Sequence, residues 1–186
     1  MTTDNAYLAE FRKHERLEEF AVERFTERTR LTALYAWAVP TAEAVRALVR
    51  LSPLVEVGAG TGYWASLVRA AGGVVHPFDC DPPTSGVNHW GHREEYVPVL
   101  RGGPEVLAGF DEACALFLCW PPYDTTMALD CLRAFRGTRV AYVGEDRGCC
   151  ATEEFFDEFD TWPLVRRVKI PQHAGIHDEM VVRRRP

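Results

Sequence analysis

The residues with the clearest chemical potential lie in Val55-Glu56-Val57-Gly58-Ala59-Gly60-Thr61-Gly62, where a short apolar run gives way to three alternating glycines. Glycine tolerates φ > 0 and carries no Cβ, so a strand can turn sharply there and let a ligand lie against bare backbone, with the amides of the turn available to a polar group. An acid stands on each side of this turn. Glu56 precedes it, and Asp79 follows Gly58 by twenty-one residues at the end of the apolar run 74–78, with Asp81 as a second candidate just beyond. An ordinary strand-to-helix turn accounts for one glycine, not for three with flanking acids.

A second constellation follows the apolar run Ala115-Leu-Phe-Leu-Cys119, where Trp120-Pro-Pro-Tyr123 makes a rigid turn with an aromatic ring at either end. Such a turn can wall a planar ligand, or it can be a Pro-Pro corner with two core aromatics. Gly144-Glu145-Asp146 and Gly175-Ile-His177-Asp178 lie near later strand ends. A histidine titrating near neutrality can take a proton from a hydroxyl or ammonium, which makes His177 the preferred base, with Glu145 and Asp124 behind it. Each of the three has a surface or turn role as its competing reading. The run Asn88-His89-Trp90-Gly91-His92 has no third ligand near in sequence, so its histidines are read as exposed loop residues and no metal is expected. The six cysteines form no CxxC pair, and Cys149-Cys150 reads as a turn with two reduced thiols.

These groups need a scaffold, and the hydrophobic pattern supplies one. Up to residue 50 the apolar residues Leu8/Phe11, Leu17/Phe20/Ala21 and Leu31/Leu34/Tyr35 fall at helical spacings. Thr41 can cap a further helix, with Glu43 in its first turn and Ala44 and Leu48 on its buried stripe, ending before Pro53. From Leu54 the pattern changes to short apolar strands near 54–58, 74–78, 97–100, 114–119 and 138–143. Helical stripes at Trp64/Leu67/Val68/Ala71, Ala128/Cys131/Leu132/Phe135 and Phe155/Phe156/Phe159 alternate with them. Residues 164–170 and 179–183 are joined by a link too short for a crossover helix, so they form an antiparallel hairpin. The expectation is one α/β domain over 1–186, with a helical lid or cap at 1–50 and the sheet in 51–186.

The spacing Gly58-x-Gly60-x-Gly62, with Tyr63 where a third dinucleotide-type glycine would fall, resembles the first motif of class I Rossmann-like S-adenosylmethionine-dependent methyltransferases, E/D-x-G-x-G-x-G. The resemblance covers roughly residues 41–183. It implies a seven-stranded, mostly parallel sheet that closes in the hairpin, with helices on both faces, and S-adenosylmethionine as cofactor. On that likeness Glu56 holds the methionine ammonium directly or through water, while Gly58, Ala59, Gly60 and Gly62 line the methionine and ribose. Asp79 accepts from the ribose hydroxyls. Cys80, Cys119 and Trp120 are placed on the cofactor side. Trp120-Pro-Pro-Tyr123 resembles the D/N/S-P-P-Y/F motif of amino-group methyltransferases, in which a side chain and a prolyl carbonyl accept from the target nitrogen under an aromatic ring. The Pro121 carbonyl and the Tyr123 ring can repeat those parts. Trp120 cannot, because an indole offers no acceptor, and it supplies an aromatic wall instead. In this fold the segment before the first strand commonly crosses the cofactor, so Tyr35 and Trp37 join Trp120, Pro121 and Tyr123 as substrate-side candidates, unless they fill the core between helices. Together with Gly144-Glu145 and Gly175-Ile-His177-Asp178, these motifs are similar to those of a subfamily of small methyltransferases.

The function this implies is methyl transfer to a nitrogen or oxygen of a small aromatic or planar molecule. The alternatives are amino-methylation of a nucleic-acid base, an NAD-dependent oxidoreductase that would share the Asp79 logic, and a silent cofactor-binding domain. Charge bears on the first alternative. Residues 1–50 balance eight acids with eight bases, but residues 51–182 carry nineteen acids and ten bases, a net of −9. A body this acidic suits a phosphate backbone poorly. Arg183-Arg184-Arg185 solvates the end of a last strand. No apolar run approaches the length of a membrane span, and Met1-Thr-Thr-Asp-Asn5 does not read as a secretory leader, so no membrane partner and a cytoplasmic location are expected.

Overall fold

The structure, a computed structural model, describes residues 5–14, 22–83, 88, 90–91 and 94–186. Three helices come first, α1 (Ala6–His14), α2 (Val22–Leu34) and α3 (Ala42–Leu51). Then β1 (Leu54–Val57), α4 (Tyr63–Ala70), β2 (Val75–Asp79), β3 (Leu100–Arg101), β4 (Ala115–Cys119), α5 (Met127–Ala134), β5 (Arg139–Gly144), α6 (Glu153–Phe159), β6 (Leu164–Lys169) and β7 (Glu179–Arg184) follow. The local chemistry explains the boundaries. Thr41 Oγ1 accepts the Ala44 amide at 3.1 Å to open α3, and Thr152 does the same for Phe155 at the head of α6, each satisfying an amide that a helix start leaves bare.

The seven strands form one sheet in the order β3-β2-β1-β4-β5-β7-β6. Its first five strands pair in parallel, and β7 lies antiparallel between β5 and β6. This is the expected Rossmann-like architecture, with the terminal hairpin as the antiparallel component. Strand alternation sends Val55 and Val57 to the face covered by α5 and α6. Leu54, Ala115 and Phe117 go to the face covered by α3 and α4. A third cluster joins Tyr7, Phe11 and Leu31 of α1 and α2 to Tyr63 and Leu67 of α4.

One strand is shorter than its sequence suggests. The apolar run at 97–100 contributes only Leu100 and Arg101 to the ladder. Val97 and Val99 pack instead against Gly62, where an added Cβ would sit 2.9 Å from either side chain. The Tyr96 amide meanwhile donates to the Thr61 carbonyl, so the segment clamps the glycine turn rather than extending the sheet.

Because the chain leaves β1 toward β2 and returns on its other side as β4, the crossover direction reverses between β1 and β4. At such a point the loops beyond the strands' carboxyl ends diverge and leave a crevice.

Candidate functional site

A cavity of about 730 Å³ opens at that crevice, within the roughly 300–1,000 Å³ typical of small-molecule sites. Glu56, Gly58, Ala59, Gly60, Asp79 and Cys80 line it from the β1 and β2 ends, and Cys119, Trp120, Tyr123 and Asp124 from β4. Trp37 reaches it from the segment before β1.

Gly58, Gly60 and Gly62 all lie in the left-handed region, with φ of 80°, 53° and 70°, which explains why the turn needs glycine. Its amides, however, are not free. Gly58 and Ala59 both donate to the Phe78 carbonyl at 2.9 Å and Gly62 to the Ala59 carbonyl at 2.8 Å, while Gly60 donates to Asp79 Oδ2 at 2.8 Å. The sequence expectation that these amides receive a polar ligand group is therefore corrected: the turn offers close approach, not a nest of unpaired N–H donors. Gly62 itself does not line the cavity. It starts α4 and is buried against Val97 and Val99.

Asp79 is buried and does double service. Its Oδ2 fixes the glycine turn and its Oδ1 accepts the Asp81 amide at 2.8 Å, so the carboxylate is held rigidly at the cavity wall with lone pairs to spare. Glu56 is different. It is 1% exposed, and its Oε2 is buried without a hydrogen-bond partner. Burial, reinforced by the charge of Asp79 and opposed by Arg69, pushes its carboxyl up to about 8. A buried carboxylate with one satisfied oxygen at most is costly unless something cationic meets it. Cys119, between Glu56 and Asp178, is held well above the usual thiol range by burial and by those two carboxylates, so its role here is as an inert wall.

At the turn after β4, Trp120 takes φ of 51°, a left-handed conformation that a bulky side chain adopts only when its surroundings hold it. They do so at three points. Its amide donates to the Val143 carbonyl at 2.8 Å, and its indole N–H donates to Asp178 Oδ1 at 2.8 Å. Its ring stacks on Trp37, with centroids 5.3 Å apart and planes 20° from parallel. The Pro121 carbonyl, expected to face a target nitrogen, accepts the Ala151 amide at 2.9 Å, and Pro121 is buried off the cavity. Tyr123 does line the cavity, at its open side with 65% exposure.

The remaining candidates separate by position. Tyr35 is drawn into an aromatic core with Tyr7, Tyr63 and Tyr96, at centroid distances of 5.1, 4.9 and 5.8 Å, and it does not reach the cavity. Nor does Glu145. It is 7% exposed, and although burial works the other way, amide hydrogen bonds from His177 (2.8 Å) and Cys149 (3.1 Å) hold its carboxyl below the usual range. The His177 side chain is 82% exposed, with Nδ1 3.5 Å from Glu145, and lies off the cavity. Of the three base candidates, Asp124 alone lines it. His89 and His92 fall outside the described residues.

Two residues that the sequence left unremarked stand out. Arg28 of α2 lines the cavity, its guanidinium 5.5 Å from the ring centres of both Trp37 and Trp120. Asp178, 1% exposed, anchors the Trp120 indole, and burial raises its carboxyl to about 7. Asp178 stood beside His177 in a motif already singled out. Arg28 had no motif around it, and only the fold of α2 over the crevice reveals it.

No family model matches the chain, and no curated protein matches it in sequence. Among solved structures it is similar to the magnesium protoporphyrin IX methyltransferase of Synechocystis with bound SAH, at 9% identity and a TM-score of 0.49, over 97% of this chain and 94% of that one. It is also similar to an SAM-dependent O-methyltransferase of Thermotoga maritima (16% identity, TM-score 0.46, 80% and 66% covered). A third is a precorrin 8W decarboxylase of Methanobacterium thermoautotrophicum (15% identity, TM-score 0.47, 77% and 91% covered).

Proposed function

We propose that this protein is an S-adenosylmethionine-dependent methyltransferase acting on a nitrogen or oxygen of a small planar molecule. The observation that carries the reading is Glu56, which lines the crevice beside the glycine turn and whose Oε2 is buried without a hydrogen-bond partner. The methionine ammonium of the cofactor is the cation such a carboxylate calls for, and Asp79 is placed to accept from ribose hydroxyls. Gly58, Ala59 and Gly60 supply the close backbone surface between them. When bound, S-adenosylmethionine would supply an electrophilic methyl group on a sulfonium, the acceptor's lone pair making the new bond and the electrons of the broken carbon–sulfur bond staying on sulfur.

The chain's own part is positioning. Trp37 and Trp120 present aromatic surface, which favours a positive sulfonium and a planar acceptor alike, and an acceptor held in line gains most of the available acceleration from orientation alone. Asp124, one of the carboxylates that line the cavity, is the candidate to receive a proton from the acceptor. The occupied amides of the glycine turn weigh against the dinucleotide alternative, because a pyrophosphate needs free N–H donors at the helix start. The engaged Pro121 carbonyl and the aromatic Trp120 weigh against base amino-methylation, which draws on both positions as acceptors.

Titration of S-adenosylhomocysteine into the purified protein tests the reading. Saturable one-to-one binding, lost in Glu56→Ala, supports it; no binding at millimolar ligand removes it.

A further inference from the structure

Arg28 is the one basic side chain among the described residues that line the cavity. It makes no hydrogen bond or ion pair with any described residue, and its Nε is buried without a partner. What it has is aromatic surface, the faces of Trp37 and Trp120 at 5.5 Å from its guanidinium carbon. Cation–π contact orients a guanidinium but uses none of its five N–H donors. Buried Asp178 accepts from the Trp120 indole through Oδ1, and although its free Oδ2 leaves it open to the Arg28 charge, the two form no ion pair. By contrast, the acids Glu56 and Asp79 stand at the β1 and β2 ends. Asp81, Asp124 and Asp130 also line the cavity, which is therefore largely acidic, with Arg28 beside Trp37 and Trp120 as its one cationic end among the described residues.

We infer that Arg28 is the anchor of an acceptor carboxylate, so that the methylated molecule is a planar aromatic acid seated against Trp37 and Trp120. The guanidinium lies beside the stacked indole pair, 5.5 Å from each ring centre, and a guanidinium's planar fork is suited to bidentate pairing with a carboxylate. The neighbouring indoles give an attached ring system apolar surface. This inference rests on the cofactor reading above, which assigns the glycine-turn end to S-adenosylmethionine and leaves the cationic end to the acceptor. The same guanidinium could alternatively take the carboxylate of the cofactor's methionine, and the two sources separate by experiment.

The test is calorimetric titration of indole-3-carboxylate and its neutral amide into the full chain, with and without saturating S-adenosylhomocysteine, for wild type, Arg28→Gln and Arg28→Lys. The acid is expected to bind about tenfold more tightly than the amide, the margin of a charge-assisted hydrogen-bond pair. Arg28→Gln should erase the difference and Arg28→Lys keep part of it, with melting temperature and S-adenosylhomocysteine affinity unchanged in both. Equal or undetectable binding of acid and amide overturns the inference, as does an acid preference that survives Arg28→Gln. So does a variant that weakens S-adenosylhomocysteine but spares methylthioadenosine, which lacks the methionine carboxylate and would assign Arg28 to the cofactor. Failure of the wild type to bind S-adenosylhomocysteine is a failure of the cofactor reading alone, because the acid-to-amide ratio without it still decides what Arg28 holds.

Discussion

Glu56 and Asp178 are buried carboxylates with no ion pair among the described residues, and that makes each a pH-dependent liability. Burial raises Glu56 to about 8 and Asp178 to about 7, above the values of the unfolded chain. A group whose folded value is raised gives its full stability below the unfolded value and loses it as pH rises through the folded one. The ligand-free protein should therefore melt at progressively lower temperature as pH climbs from about 5 to about 8, by an amount on the order of a few kcal/mol. Asp178→Asn should flatten the part of that slope below about pH 7 in differential scanning fluorimetry, leaving the part up to about 8 to Glu56; an unchanged slope would mean that Asp178 stays charged in the fold. Glu56 gives the complementary signature in binding. An ammonium requires the carboxylate, so binding releases a proton, and S-adenosylhomocysteine affinity should rise from mildly acid pH up to about 8. Glu56→Gln should bind about tenfold or more weakly, the loss of a hydrogen bond between charged groups, and should lose that pH dependence.

The elements that carry these side chains differ in how plainly the sequence announces them. The β1 and β2 ends were legible because glycines and acids recur there at fixed spacing, and the Thr41 and Thr152 caps because helix starts use few residue types. The connection after β5 was not. Glu145 reads as a cleft acid, yet its carboxylate ties the Cys149 amide of one connection to the His177 amide of another, a link across thirty-two residues that no local pattern encodes. Glu145 is therefore a structural latch, and Glu145→Ala should destabilise the fold by about 1–3 kcal/mol, the cost of leaving buried donors unpaired. Removing the exposed side chain of His177 should change turnover by no more than about twofold, within the small effect of a surface substitution. A steady-state assay on the two variants distinguishes this from general-base catalysis, in which His177→Ala would be the more damaging. The cavity-facing Asp124 is the position at which a base, if the acceptor needs one, should reveal itself.

At the scale of the whole molecule, the N-terminal helices are part of the core, and α2 contributes Arg28 to the cavity lining. Tyr7 of α1 is fully buried, stacks on Tyr35, shares a 2.9 Å hydrogen bond with His173 and donates its amide to the Tyr63 hydroxyl at 3.1 Å. Burial of this network drives His173 down to about 4, helped by Arg28 and Arg24, so the imidazole is neutral at physiological pH. Tyr7→Ala should cost about 3–5 kcal/mol, as for other large buried aromatics, and lower the melting temperature by about 10 °C. Sequence periodicity foresaw helices here but not that Tyr7, Tyr35, Tyr63 and Tyr96 converge, since they are spread over ninety residues and meet only when α1, α2 and α4 pack. That packing also brings Arg28 over β4. The two ends of the cavity thus come from different parts of the chain, one local and readable, the other assembled by the fold. Among the described residues no helix is long and apolar enough to cross a membrane.

The central claim is that the crevice beside Glu56 holds S-adenosylmethionine, and isothermal titration of wild type and Glu56→Gln with S-adenosylhomocysteine and with NADH tests it most directly. Saturable binding of S-adenosylhomocysteine, weakened about tenfold or more in the variant, with no binding of NADH, is the predicted result. Binding of NADH instead, or S-adenosylhomocysteine binding that ignores Glu56, would contradict it.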